Sequence, residues 1–387
     1  MTRSTSPILR VSLALALFPV CLPTSTATAA PTTRSPKNLK QTIYVSKTGD
    51  NSDGSSWKKA FTTIQAALNA IPTNTGGYRV AIRPDTYNEA NLHPAHRGAK
   101  DSYNELVGDV DGSLGSGTTG RVIIDSSDPK LGFKSYDWHT VIRAYQKGWS
   151  PEHKAESTSS LDWDRWRFSH LYVTGSDAGL FFDLVDKIEP FSVEVEDCIC
   201  IGRAFGGGVA NCLSRRDEPV VFRRCYMASL DFWGDTSGAY IRFENKSMPD
   251  WVDIILDDCT MVGPQCAFKS SNFGFHTYTH ARLTNCRLIV LNFSQPHGTP
   301  TDGIIQCVQE GKLLHVDLEN CSLMGYKVFG VIVDKKTANQ IKYTTQGDVK
   351  AYIQFQQELP AGFQRIPNWP VELFEQIAPP ALALPTP

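Results

Sequence analysis

The sequence predicts an all-β chain wound as a solenoid of the parallel β-helix type, with an N-terminal capping helix. Three observations predict it. First, the segments Val195-Glu196-Asp197-Cys198-Ile199, Phe222-Arg223-Arg224-Cys225-Tyr226, Leu256-Asp257-Asp258-Cys259-Thr260, Leu283-Thr284-Asn285-Cys286-Arg287 and Leu318-Glu319-Asn320-Cys321-Ser322 share one frame, and Phe168-Ser169-His170-Leu171-Tyr172 fits it with Leu171 in the Cys place. Positions 171, 198, 225, 259, 286 and 321 are separated by 27, 27, 34, 27 and 35 residues, which is a repeat with insertions. Second, each repeat is made of short stretches of alternating apolar and polar residues, such as Phe191-Ser192-Val193-Glu194-Val195, between Gly, Asp and Asn turns. That is the period of strands. About 27 residues supply three strands and three turns, one coil of a β-helix with neighbouring coils about 4.8 Å apart. Third, Phe61 to Ile71 is a Thr-capped amphipathic helix with Ile64, Ala67, Leu68 and Ile71 on one face, suited to cover the open end of a solenoid core.

The elements follow in order. Residues 1–30 read as an export signal: Arg3 and Arg10, the apolar stretch Val11 to Leu22, then small residues from Thr24 to Ala30. Cys21 is not preceded by the small residue of a lipidation site. This implies a secreted, periplasmic or cell-envelope protein. Residues 31–40 are a linker, 41–335 the β-helix, and 336–387 a C-terminal extension with a Pro-rich end. The first strand is Ile43-Tyr44-Val45, followed by a turn from Gly49 to Gly54 and then the helix. Asn91 to Gly120 and Trp138 to Trp166 are long excursions of the kind that shape grooves on solenoids.

Composition narrows the function. Among 387 residues, 41% are hydrophobic and 20% charged, enough for a packed core. Thirty-eight Lys and Arg against 40 Asp and Glu, without a basic stripe, argue against a nucleic-acid partner. No apolar run reaches the roughly 20 residues of a membrane span. Beyond Cys21, nine Cys lie between positions 198 and 321 without zinc-type spacing. We expect the Cys column to point inward as small apolar filler, mostly reduced. No nucleophile elbow, phosphate loop or His-Glu-x-x-His occurs, and Asp109-Val110-Asp111-Gly112 lacks the rest of a calcium loop.

Phe61-Thr62-Thr63-Ile64-Gln65-Ala66-Ala67-Leu68, then Val80-Ala81-Ile82 and Pro84-Asp85-Thr86-Tyr87-Asn88-Glu89, resemble the opening of secreted proteins of the pectin lyase-like superfamily, pectinesterases included. The resemblance implies a right-handed single-stranded parallel β-helix in a carbohydrate-active setting, with a polysaccharide as partner. It does not extend to the pectinesterase catalytic elements. Asp231-Phe232-Trp233-Gly234 is a shortened echo of Asp-Phe-x-x-Gly, and the Gln-Asp-Thr-Leu and Gly-Arg-Pro-Trp elements are missing.

Aligning the strand after each Cys-centred strand puts Asp183, Asn211, Arg242, Lys269 and Gln306 in one outward column. Arg242 and Lys269 are one coil apart, and a neighbouring cation favours the neutral amine in which Lys acts as a base. Proton abstraction beside a uronate carboxylate needs a base, a cation for the carboxylate and an acid for the leaving oxygen. In some β-helical lyases a Lys and Arg pair does this, often with calcium. We therefore take Lys269 and Arg242 as catalytic candidates, and His276, Tyr278 and His280, just after the Lys269 strand, as further acid and base candidates. Trp233 is a sugar-stacking candidate, with Asp183, Asn211 and Gln306 as substrate contacts. Asp231 and Asp235 are candidate calcium ligands. The leading expectation is a polysaccharide lyase acting on an acidic polysaccharide. Its alternatives are a glycoside hydrolase using Asp231 and Asp235 or Asp183, and a non-catalytic envelope or adhesion module.

Overall fold

A computed structural model describes residues 38–126, 141–142, 159–184, 189–229, 236–243, 251–263, 266–271, 278–290, 303–308, 313–325, 329–331 and 340–353. Every pairing between its strands is parallel and joins one coil to the next. A first sheet stacks ten strands in chain order: Gln41–Val45, Tyr78–Ile82, Asn104–Gly108, Trp166–Ser169, Val193–Glu196, Val220–Arg223, Ile254–Asp257, Tyr278–Thr284, Leu313–Glu319 and Gln340–Gln346. A second runs from Asp85–Tyr87 and Val122–Asp125 through Tyr226–Ser229, Thr260–Gly263, Arg287–Val290 and Ser322–Gly325 to Lys350–Ile353. A third comprises Ser237–Phe243, Phe268–Ser271, Ile305–Val308 and Phe329–Val331. Two long strands, Tyr172–Asp183 and Ile199–Ser214, pass through both the second and third sheets.

The column at 171, 198, 225, 259, 286 and 321 forms as the repeat predicts, with all six side chains buried. It sits just after the corner where the first sheet turns into the second. The residue before each member, His170, Asp197, Arg224, Asp258, Asn285 and Asn320, has φ between 48° and 57°. This left-handed backbone is one that Asp and Asn tolerate well. The corner is then locked by a backbone ladder: Ile199 N–H to Leu171 O, Tyr226 to Cys198, Thr260 to Cys225, Arg287 to Cys259, Ser322 to Cys286 and Lys350 to Cys321. The thiols donate to carbonyls of the preceding coil, Cys259 to Phe222 at 3.4 Å and Cys286 to Leu256 at 3.3 Å. All nine Cys are free and buried. Burial pushes the thiols of Cys198, Cys225, Cys259 and Cys286 up, toward the neutral form.

The capping helix spans Ile64–Asn69, with Thr63 accepting from the Ala66 N–H. Its Ile64, Ala67 and Leu68 enter the same core as Ile43, Val45 and Val80 of the first coils. Glu89 closes its amino end, accepting from the N–H groups of Ile64 at 2.7 Å and Gln65 at 2.9 Å. Asp109 is a turn former, its carboxylate accepting from Leu114 and Ser116 N–H.

The solenoid runs past residue 335, where the repeat fades in the sequence. Gln340–Gln346 and Lys350–Ile353 add a further coil. There Gly347 takes the left-handed turn position at φ 64°, and Val349 packs on the core without a Cys to mark it. At the end of the sheet among the described residues, Gln340–Gln346 has Tyr343 55% exposed, so its alternation carries little apolar signal. Among the described residues no helix is long and apolar enough to cross a membrane.

Candidate functional site

The third sheet positions most of the residues singled out by the sequence. On its outer face Phe181, Gly208, Tyr240, Lys269 and Gln306 form one row across successive coils. Asp183, Ala210 and Arg242 form the row two residues further on. The single column expected from the sequence is thus two rows. Lys269 faces Tyr240, while Arg242 lies two residues beyond on the same outer side. For Asn211 the cause is local: the ladder shifts between Ala210 and Cys212, leaving Asn211 as an extra residue at φ 55°. Asn211 turns its amide onto Asp183, donating at 2.6 Å. The face is also less open than an outward column implies, with Asp183, Asn211, Lys269 and Gln306 all buried. Phe181, Phe205 and Tyr240 make a second, smaller hydrophobic cluster there, with the Phe205 and Tyr240 rings 4.4 Å apart.

The second constellation lies on the first sheet, whose strand Tyr278–Thr284 follows the Lys269 strand in the same coil. Alternation sends Thr279, Ala281 and Leu283 inward and Tyr278, His280 and Arg282 outward. In the next coil Leu313–Glu319 turns His315 and Asp317 outward. Register pairs His280 directly with His315 and Arg282 with Asp317. The two imidazoles stack at 4.4 Å and 4°. His280 Nε2 lies 2.7 Å from Asp317 Oδ2, and His315 Nε2 lies 3.4 Å from Asp317 Oδ1. Tyr278 Oη and His315 Nδ1 are 3.0 Å apart. Asp317 also accepts from the Thr344 hydroxyl at 2.6 Å. Asp253, fully buried, accepts from the backbone N–H of His280.

The electrostatics of this cluster separate its groups. Burial, with the Asp253 and Asp317 carboxylates, pushes the Tyr278 phenol up. Burial and the neighbouring His280 ring push His315 down, against the pull of Asp317. Burial opposes ionisation of Asp317, but the hydrogen bonds from Thr344 and His280 outweigh it and bring the carboxyl down. Near neutral pH the arrangement therefore offers a phenol, a neutral imidazole and a carboxylate on one face. Such a set can transfer protons or ligate a metal.

Of the other candidates, Trp233, Asp231, Asp235 and His276 lie outside the described residues. His315 and Asp317 were missed by reading the sequence, although the signal was present. His280 and His315 each stand six residues before a column Cys, 286 and 321, and so had to share a place on adjacent coils.

No family model and no curated protein matches the chain. Solved structures similar to it include the pectate lyase Pel9A, at 12% identity over 81% of this chain and 78% of that one, with a TM-score of 0.48. The pectin methylesterase from Aspergillus niger is 14% identical over 82% and 85%, with a TM-score of 0.37. The GH136 lacto-N-biosidase from Eubacterium ramulus is 9% identical over 81% and 68%, with a TM-score of 0.41. The class is a parallel β-helix, and that assignment stands on the strand ladders. Likenesses at this level carry no argument about the reaction.

Proposed function

We propose that this chain is a secreted carbohydrate-active enzyme that cleaves a uronate-containing polysaccharide by β-elimination. The observation that carries the reading is the outward constellation of Tyr278, His280, His315 and Asp317, tied together by hydrogen bonds. Elimination removes the proton on the carbon beside the uronate carboxylate, moves that electron pair into a new carbon–carbon double bond, and breaks the bond to the leaving oxygen, which takes up a proton. Tyr278, held as a phenol, is the acid for the leaving oxygen. Lys269, nine residues earlier on the preceding strand of the chain, is the candidate base, and Arg242 or the His-lined centre meets the carboxylate.

Purified protein incubated with a panel of uronate polysaccharides, read in parallel for unsaturated product by ultraviolet absorbance and for new reducing ends, tests this. Tyr278→Phe and Lys269→Ala are each expected to lower turnover by about 10²–10⁴-fold with the fold retained. Reducing ends without the alkene would make the protein a hydrolase, and turnover untouched by either substitution would place the chemistry elsewhere.

One observation favours a non-catalytic reading instead. Arg79, Glu105, Arg167 and Glu194 follow one another on successive coils of the first sheet, a regular and largely buried charge row of the kind that braces a structural module. Polysaccharide retained without turnover would support it.

A further inference from the structure

We infer that His280, His315 and Asp317 bind one divalent transition-metal ion of the zinc type. One ligand atom from each of the three residues lies within 4.8 Å of the other two. Both Nε2 atoms point at the same carboxylate, one from each of two directly paired strands. In tetrahedral coordination with bonds of about 2.0–2.1 Å, donor atoms sit about 3.4 Å apart. His315 Nε2 lies 3.4 Å from Asp317 Oδ1 and His280 Nε2 lies 2.7 Å from Asp317 Oδ2; because the two rings are stacked and parallel, one imidazole turns about its Cβ–Cγ bond to bring both nitrogen lone pairs onto one ion.

The His280 side chain is 8% exposed and its Nε2 is aimed at the shared carboxylate, while among the described residues its Nδ1 has no hydrogen-bond partner. Two of the three groups have outer partners of the kind metal ligands usually have: Tyr278 meets His315 Nδ1 and Thr344 holds Asp317 Oδ1, while Asp253 fixes the His280 backbone.

The ligand set also selects the ion. Two imidazole nitrogens and one carboxylate suit zinc, cobalt or iron, whereas calcium and magnesium take oxygen cages. Three protein ligands leave a position for an outside oxygen donor, as in catalytic rather than structural zinc sites. That position would take the uronate carboxylate, a role that rests on the lyase reading. Metal binding itself does not.

The full-length protein, stripped by dialysis against a chelator, is titrated with Zn²⁺, Co²⁺ or Ca²⁺, and bound metal is measured by elemental analysis. The visible spectrum of the Co²⁺ form is recorded as well. About one Zn²⁺ or Co²⁺ per chain is expected, with Ca²⁺ failing to compete. Affinity should fall at least tenfold in His315→Ala and in Asp317→Asn, and stay unchanged in Asp53→Asn, far from the site. Circular dichroism of each variant separates lost ligation from lost fold. Less than half an equivalent bound to the wild type, or stoichiometry and spectrum unaltered in both folded variants, overturns the inference. Metal bound without any lyase activity would sink the lyase reading and leave the site standing. Lyase activity in protein that binds no metal would do the reverse.

Discussion

Glu105 is the acceptor for two buried guanidinium groups. Its Oε2 receives Arg79 Nε at 2.8 Å and its Oε1 receives Arg167 at 3.1 Å, with the Glu105 side chain 5% exposed and that of Arg79 10%. Arg167 keeps a second carboxylate, Glu194, at 2.8 Å. Arg79 has Glu105 alone among the ion pairs of the described residues. Glu105→Met, close in volume, therefore strands the Arg79 charge in a poorly solvated place. Removing one partner of a buried pair costs about 3–5 kcal/mol. With an unfolding entropy of about 2.1 cal/mol/K per residue, the roughly 230 described residues correspond to a loss of about 2 °C in Tm per kcal/mol. The expected shift is about 6–10 °C, followed by circular dichroism at several scan rates to exclude a kinetic artefact. The double variant Arg79→Met with Glu105→Met removes the stranded charge, so it should be more stable than the sum of the two single losses by about 1–3 kcal/mol. A shift below about 2 °C, or singles that add within about 0.5 kcal/mol, would refute the account of this row as a buried, mutually dependent charge ladder.

Two further outcomes are expected. Gly208→Ala should destabilise by about 2 kcal/mol or more, because Gly208 has φ +145° and a Cβ there would meet the Tyr240 carbonyl of the next coil. A melting temperature within a degree of wild type would contradict that contact. The nine Cys between 198 and 321 should resist alkylation in native buffer and react fully in denaturant. Mass measured with and without reduction should show no change, and four bridges would overturn the stacked-thiol core.

The sequence by itself determined the coil. A 27-residue spacing, period-two alternation and an Asp or Asn ahead of four of the six column residues leave few alternatives to stacked parallel strands. The inward side follows because a one-residue slip would turn every apolar side chain outward. The capping helix was legible for the same reason, its apolar face having only the first coils to cover. Legibility fell away with distance from the Cys column. His280 and His315 sit within one strand of it, so their pairing was recoverable. Lys269 and Arg242 sit one sheet further on, beyond turns of different lengths. There equal spacing in the sequence did not mean equal register: the extra residue at Asn211 took it out of line with Arg242, and the unequal turns set Lys269 against Tyr240. The coil past residue 335 was hidden because, among the described residues, its strands have a single neighbour to bury against and need little apolar pattern. Which polar side chains meet across coils was decided by tertiary structure, because each contact depends on the sum of every insertion between the two strands, and that sum is fixed only when the chain closes its turns.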